Sequence, residues 1–553
     1  METSTVIAKV GYTALDKAAV TLLLASLSVA IGTRILTGVS ARSRKPNEPK
    51  LLPYWIPHVG HAFSIALKRE WLEQAMMKNH GQPGFKLVLF GRTITFVNSP
   101  AFIESLSSQK ESMSFKESSD HLSESLFETS KIENSPCPAG IFAGRGWMSP
   151  MDPDTAHSFC VSVANRVQRS MPDLVSFLES TVDQQPWEKG CNEEPELGSR
   201  TALIDLYPLI RDFVGYNLTM ELMGSCFMNA YEVVLKDIWL FNNKFDPISL
   251  GIPRYVPVPG IVPSYKAQQR LLEGLTIFHK AFRKVEDGGD PGIDWRDLDD
   301  VSDFMRARAS AWIKAGVDER TAASGDLPIL WAMNTEVTNI VFWQIIHILS
   351  KDDIYDRVVE EVAPFAKAFR PDSQFKMLEP MQLTLDAQGL SGCKYLKASL
   401  YETVRLMGTE IIVGKAKEQF DIREAQTTPK SSSQPSIRIQ EGDYVAALVN
   451  SSEINGKIQA SESPESFDPE RLLSHMMANE TQTLGSEFKN GPLFESDTTK
   501  ELEERIILSF VAGFLVMWDV DPAKGQPLVP KAKTSPLVKV PDSNYRALIE
   551  PNV

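Results

Sequence analysis

Three runs of this sequence hold residue types that can do chemistry inside a folded protein. Asn334, Thr335 and Glu336 are consecutive in LPILWAMNTEVTNIVFWQIIHILSKDD, a stretch from Leu327 to Asp353 with almost no other charge. An amide, a hydroxyl or a protonated carboxyl in apolar surroundings can donate a hydrogen bond to a substrate carbonyl as charge grows on it. Farther on, CKYLKASLYETVRLMGTE sets Glu402 three residues ahead of Arg405 and ends on Thr409 and Glu410. That spacing on a helix puts both charges on one face, within ion-pairing reach. The third run, ESFDPERLL, contributes Phe467, Pro469, Glu470 and Arg471. Taken singly, each polar residue reads more plainly as a satisfied structural group, and Glu402 with Arg405 reads as a surface pair.

The elements that must position these residues are mostly helical. Helical periodicity dominates from about Asp173 to Leu406, and the stretch from Leu327 should be a helix buried on most sides. PGFKLVLFGRTITFVNSP (83–100) alternates as a β-hairpin around a Gly-Arg turn. TTPKSSSQPS (427–436) is a polar surface loop, and the Pro- and Lys-punctuated end from Pro522 should form edge strands. AAVTLLLASLSVAIG, from Ala18 to Gly32, continues into TRILTGV with one charge, Arg34. Its apolar length approaches the roughly 20 residues needed to span a bilayer. Arg42, Arg44, Lys45 and Lys50 follow it, which would place the body on the cytosolic side. The chain is therefore expected to comprise an anchor and basic flank (1–45) and one large, mainly α domain with a small β region (46–553).

Composition narrows the function classes. The chain has 553 residues, 43% of them hydrophobic, and a formal net charge of −14, which argues against nucleic acid as a partner. Five cysteines, Cys137, Cys160, Cys191, Cys226 and Cys393, include no Cys-x-x-Cys pair, so no zinc or iron–sulfur centre is expected. An odd number without periodic spacing suits reduced thiols. No cysteine follows Cys393.

The order of long buried helix, Glu402-x-x-Arg405, the Phe467–Arg471 run and the amphipathic ERIILSFVAGFLVMWDV resembles the cytochrome P-450 superfamily, in its fungal branch akin to prostacyclin synthase and sterol hydroxylases. The proline-rich LLPYWIPHVGHAFSIALKREWLEQAMMKNHG and the hairpin after it resemble that family's start, and the likeness runs from about residue 50 to 525. It implies a P-450-like fold in which Glu402, Arg405 and Arg471 form a buried structural network behind the haem pocket. It also implies that Asn334, Thr335, Glu336, Thr409 and Glu410 line that pocket.

One part of the pattern is missing. The family holds haem iron by a cysteine in Phe-x-x-Gly-x-Arg-x-Cys-x-Gly, whose thiolate favours O–O cleavage. Phe488-Lys489-Asn490-Gly491 could open such a loop, in a degenerate segment of about 485–500. Leu493 then stands at the arginine, and the cysteine position falls on Glu495 counting forward or on Asp497 counting back from the following helix. Glu501, Glu503 and Glu504 would set carboxylates against the haem face. His475 is the nearest histidine to the loop, and His347 reads as a packing residue. Haem is therefore not expected, nor any other metal. A haem-free apolar cavity could still fold a hydrophobic substrate into a reactive shape. The leading expectation is a non-redox cyclase of fungal secondary metabolism, an intramolecular Diels–Alderase acting on an oxidised terpenoid at the endoplasmic reticulum membrane. The alternatives are a non-catalytic protein that binds pathway P-450 enzymes or an intermediate, and a haem monooxygenase using His475, Glu495 or Asp497.

Overall fold

The computed structural model describes residues 2–40, 48–97, 102–129, 153–371, 380–409, 411–423, 436–448, 466–473 and 497–552, apart from eleven single positions within the second to fourth of these ranges. The chain packs as two compact units. One comprises Met1–Ser118 with Val413–Ala447, the other Ser119–Ile412 with Leu448–Val553.

The first unit carries helix α1 (Glu2–Ser40) and a six-stranded sheet. Strands β1 (Lys50–Leu51), β2 (Gly84–Leu89) and β3 (Arg92–Val97) are followed in the sheet by Tyr444–Leu448, Ile411–Ala416 and β4 (Met113–Ser114). The expected hairpin is present as antiparallel β2 and β3, but its turn is Phe90-Gly91, one residue earlier than expected. Both residues have positive φ, 46° and 79°, the geometry of a tight turn that matches strand twist. The register fixes Phe85 opposite Phe96, whose rings stack at 5.4 Å. The segment Ile56–Gly60 closes over the end of β2. His61 N–H donates to Val88 O at 2.7 Å, and Val88 N–H donates to His61 Nδ1 at 3.1 Å. A Cβ at Gly60 would meet Val88 O at 2.1 Å, so only glycine allows this approach. Burial lowers the His61 pKa to about 4.

The second unit is helical. Its named helices are α2 (Leu206–Ala230), α3 (Ile261–Glu286), α4 (Asp303–Lys314), α5 (Glu319–Ala332), α6 (Thr338–Leu349), α7 (Lys394–Met407) and α8 (Asp497–Met517). Side-chain caps start two of them. Ser302 Oγ accepts from Met305 N–H at 3.3 Å, and Asp318 Oδ1 accepts from Thr321 N–H at 3.0 Å, each worth about 1 kcal/mol. α5 and α6 are one continuous helix joined by the π-helical turn Met333–Val337. Every residue from Thr321 to Ile348 is buried, as expected for the apolar run that begins at Leu327. This rod packs on α2, α3, α7 and α8, and so forms the centre of the unit.

A four-stranded sheet runs in the order Trp518–Pro522, Arg546–Pro551, Ala202–Asp205, Glu194–Pro195. Arg546–Pro551 is thus an inner strand, not the edge strand expected from its sequence. Ala547 and Ile549 are buried, and Arg546, on the opposite face, pairs with Glu194 at 3.1 Å.

Ahead of that sheet, the loop through 174–193 is held by carboxylates. Glu188, 1% exposed, accepts the Ser176 and Gln185 N–H groups. Burial, then the neighbouring Glu188 charge, raises the Glu193 pKa to about 7. The folded protein therefore holds a proton on Glu193 that the unfolded chain releases between about pH 4.5 and 7, and stability falls as pH rises through that window. Glu193→Gln should flatten this slope. Tm measured from pH 4.5 to 8 should decline less in the variant than in the wild type.

Candidate functional site

The π turn places the three candidate residues of the central helix, and their side chains explain why it forms. A π turn breaks the i→i−4 backbone ladder. Here side chains reach back four residues to bond its carbonyls. Asn334 Nδ2 donates to Leu330 O at 2.9 Å and Thr335 Oγ1 to Trp331 O at 2.9 Å. Thr338 Oγ1 donates to Asn334 O, and Asn339 Nδ2 to Thr335 O at 2.6 Å. The sequence Asn-Thr-x-x-Thr-Asn is thus a side-chain ladder that supports a locally unwound helix. Asn334 also bonds Thr219 of α2 at 3.0 Å. Gly215 of α2 gives it room, since a Cβ there would lie 2.7 Å from Asn334 Oδ1. Tyr207 OH donates to Asn339 Oδ1 at 2.9 Å, fixing the other end of the ladder to α2.

These bonds sort the candidates. The donors of Asn334 and Thr335 serve the protein's own backbone and α2. Glu336 follows them in the π turn and is 8% exposed. Thr409 is also committed. Its Oγ1 donates to Ser535 O and its N–H to Leu537 O at 2.8 Å, which ties the chain after α7 to residues 535–538. Glu410 lies outside the described residues.

Glu402, Arg405 and Arg471 come together. Arg405 forks onto Glu402 with two bonds of 2.8 Å, and Arg471 Nη1 lies 3.7 Å from Glu402 Oε1. Asp468 N–H donates to the same oxygen at 3.2 Å, and Arg471 pairs with Asp468 at 3.3 Å. Glu402 is fully buried. A bidentate fork inside the protein is the strong form of this pair. The surface-pair reading of Glu402 and Arg405 is ruled out by burial.

Four cysteines fall among the described residues. Cys160 and Cys393 hydrogen-bond backbone carbonyls, and burial pushes each thiol up to about 11. Burial raises Cys191 and Cys226 as well, and they bond Glu188 O and Asp297 O. All four are hydrogen-bonded within the fold, and none follows Cys393 in the chain. Phe488, Leu493, Glu495 and His475 lie outside the described residues, as does Cys137; Asp497 begins α8. Burial lowers the His347 pKa to about 3, and its ring stacks between Trp343 and Phe467, a packing role.

The carboxylates expected to oppose haem are engaged otherwise. Glu504 accepts from Tyr401 OH at 2.6 Å and pairs with Lys397 at 2.6 Å, both on α7; Glu501 pairs with Arg505. Glu503 is buried at 8% exposure. The contacts of Glu501 and Glu504 are structural, because α7 and α8 pack on each other and supply the partners.

The sequence reading missed a second buried ionic cluster. Asp326 of α5, 1% exposed, accepts two bonds from Arg308 of α4 at 2.6 and 2.9 Å, and lies 2.9 Å from His279 Nε2 of α3 and 3.2 Å from Trp312 Nε1. Burial alone would raise its pKa, but Arg308 and His279 hold the carboxyl down at about 2. The available signal was Asp326 itself, a lone carboxylate one residue before the apolar run.

No family model matches this chain. Among curated proteins it is 18% identical to mouse cytochrome P450 7B1 over 74% of this chain and 71% of that one. It is 19% identical to the cytochrome P450 monooxygenase poxD of Penicillium oxalicum over 86% and 88%. Among solved structures, the retinoic acid-bound cyanobacterial CYP120A1 superposes with a TM-score of 0.60 at 16% identity, covering 92% of this chain and 100% of that one. That superposition spans nearly the whole of this chain and all of the other: the chain has the cytochrome P450 fold.

Proposed function

We propose that this P450-fold chain is a haem-free cyclase, catalysing an intramolecular [4+2] cycloaddition on an oxidised terpenoid. The observation that carries the reading is the absence of any cysteine after Cys393, where the fold's iron ligand belongs. Cycloaddition needs neither metal nor nucleophile. Three π bonds become two new C–C σ bonds and one π bond, and no atom is gained or lost. An apolar enclosure supplies the folded substrate geometry, which can lower a barrier by several kcal/mol. A protonated Glu336 would donate to the carbonyl conjugated with the dienophile. α1 holds the protein in the endoplasmic reticulum membrane with its body in the cytosol, beside the P450 enzymes that oxidise the terpenoid.

The test has two stages. Full-length protein is expressed with haem precursor supplied, and its absorption is recorded after reduction under carbon monoxide. A stoichiometric Soret band would overturn the reading and send the search for a ligand to His475, Glu495 and Asp497. Without a band, the protein is incubated with a terpenoid carrying a cyclic diene and an enal, and the cycloadduct is followed by chromatography. Glu336→Leu should lower kcat by about 10²-fold, the usual effect of losing one donor to a developing oxyanion. Glu336→Gln, whose amide still donates, should lose less.

The committed hydrogen bonds of Asn334, Thr335 and Thr409 favour a second reading. A protein that binds a pathway intermediate without converting it would be thermally stabilised by the terpenoid and would release it unchanged.

A further inference from the structure

The peptide unit that carries Glu336 is pinned by a side chain. Asn339 Nδ2 donates to Thr335 O at 2.6 Å. That oxygen belongs to the planar peptide whose other end is the Glu336 nitrogen and Cα. Fixing the oxygen fixes the plane, and with it the position from which the Glu336 side chain departs. Thr338 Oγ1, donating to Asn334 O, pins the peptide before it in the same way.

Asn339 can do this in one orientation only. A carbonyl accepts and cannot donate, so the amide nitrogen must face Thr335 O and Oδ1 must take a donor from elsewhere. Tyr207 of α2 supplies that donor at 2.9 Å. Burial raises the Tyr207 pKa, which keeps the phenol in its donating form. The ring is held in turn. It meets Phe342 of α6 edge to face, with centroids 5.0 Å apart at 74°, and the Arg211 guanidinium lies 5.7 Å from its centroid. Arg211 is itself forked onto Asp212 with bonds of 2.6 and 2.7 Å. Asn339 is 1% exposed, out of reach of bulk water that could stand in for a lost hydroxyl.

We propose that Tyr207 is a positioning residue for Glu336, acting through Asn339 and the Thr335 carbonyl to set the direction of the Glu336 carboxyl. Without the phenol hydroxyl the Asn339 amide can turn over, its nitrogen leaves Thr335 O, and the peptide before Glu336 is released. A misplacement of about 1 Å can cost up to about 10²-fold in rate. This rests on the reading of Glu336 as the donor, and the experiment separates the two. Full-length wild type, Tyr207→Phe, Glu336→Leu and the double variant are compared on the terpenoid carrying a cyclic diene and an enal. Tyr207→Phe keeps the ring and its contact with Phe342, and Tm recorded for each protein keeps unfolding out of the comparison. Tyr207→Phe should lower kcat about tenfold and leave KM within about twofold. In the Glu336→Leu background it should lower kcat by less than about twofold, since no carboxyl is left to aim. Asn339→Leu, which removes the link at its other end, should show the same dependence on Glu336. A purely structural Tyr207 would cost the same factor in both backgrounds. That result, or no loss in either, overturns the proposal while the reading of Glu336 stands. Turnover indifferent to Glu336→Leu, or no turnover by the wild type, overturns both.

Discussion

Asp326→Ala is expected to be among the most damaging single substitutions in the chain, costing about 3–5 kcal/mol, because it leaves a buried cation without its partner. Arg308 would keep its charge between the rings of Phe304 and Trp312, 5.7 and 5.8 Å from its guanidinium carbon, with no carboxylate to accept its bonds. His279 would lose its bond to Asp326 as well. The three helices α3, α4 and α5 share this one carboxylate, so the loss should appear as a fall in Tm and as faster hydrogen exchange in all three. The exposed pair Asp290–Arg296 is the control, at 63% and 62% side-chain exposure. Asp290→Ala should leave Tm almost unchanged, since exposed pairs contribute little. An unchanged Tm for Asp326→Ala would mean that the cluster does not hold these helices.

Glu402→Ala should cost a similar ~3–5 kcal/mol, and for the same reason, since Arg405 is 6% exposed and both of its bonds to Glu402 would be lost. Two differences distinguish the outcome. Glu402 also accepts the Asp468 N–H, so the segment 466–473 should loosen together with α7, which limited proteolysis would report. Arg471→Ala should cost less than Glu402→Ala, because Arg471 approaches Glu402 only to 3.7 Å and has Asp468 and Ser466 as other partners. Equal losses for the two variants would mean that the three residues act as one inseparable unit.

The sequence made the central helix legible because nothing in it but burial could satisfy so long a run of apolar side chains. The hairpin was legible from its alternation, although its turn shifted to Phe90-Gly91 because a tight turn needs positive φ at both positions. The Glu402 network was legible only through resemblance, since two charges three apart look the same on any exposed helix. The π turn was not legible. It depends on four side chains bonding carbonyls four residues back and on the room left by Gly215, and no periodicity records either. The Asp326 cluster stayed hidden because its members come from three helices, and their spacing in sequence carries no pattern. The inner position of Arg546–Pro551 was missed because its neighbours in the sheet, Ala202–Asp205 and Trp518–Pro522, are set by tertiary packing.

That sheet also bears on how the molecule comes to be made. Arg546 and Leu203, joined in it, are 343 positions apart in the chain, and the first unit likewise needs Val413–Ala447 to finish a sheet begun at Lys50. Closing such distant pairs costs loop entropy before any contact returns it, which slows folding. Neither unit can complete itself during synthesis until the ribosome has passed residue 447, so most of the apolar helix surface must wait in a partly assembled state. An apolar chain held in that condition is exposed to aggregation. The yield of this protein in a foreign host should therefore respond more to chaperone supply and translation speed than to substitutions that raise its final stability.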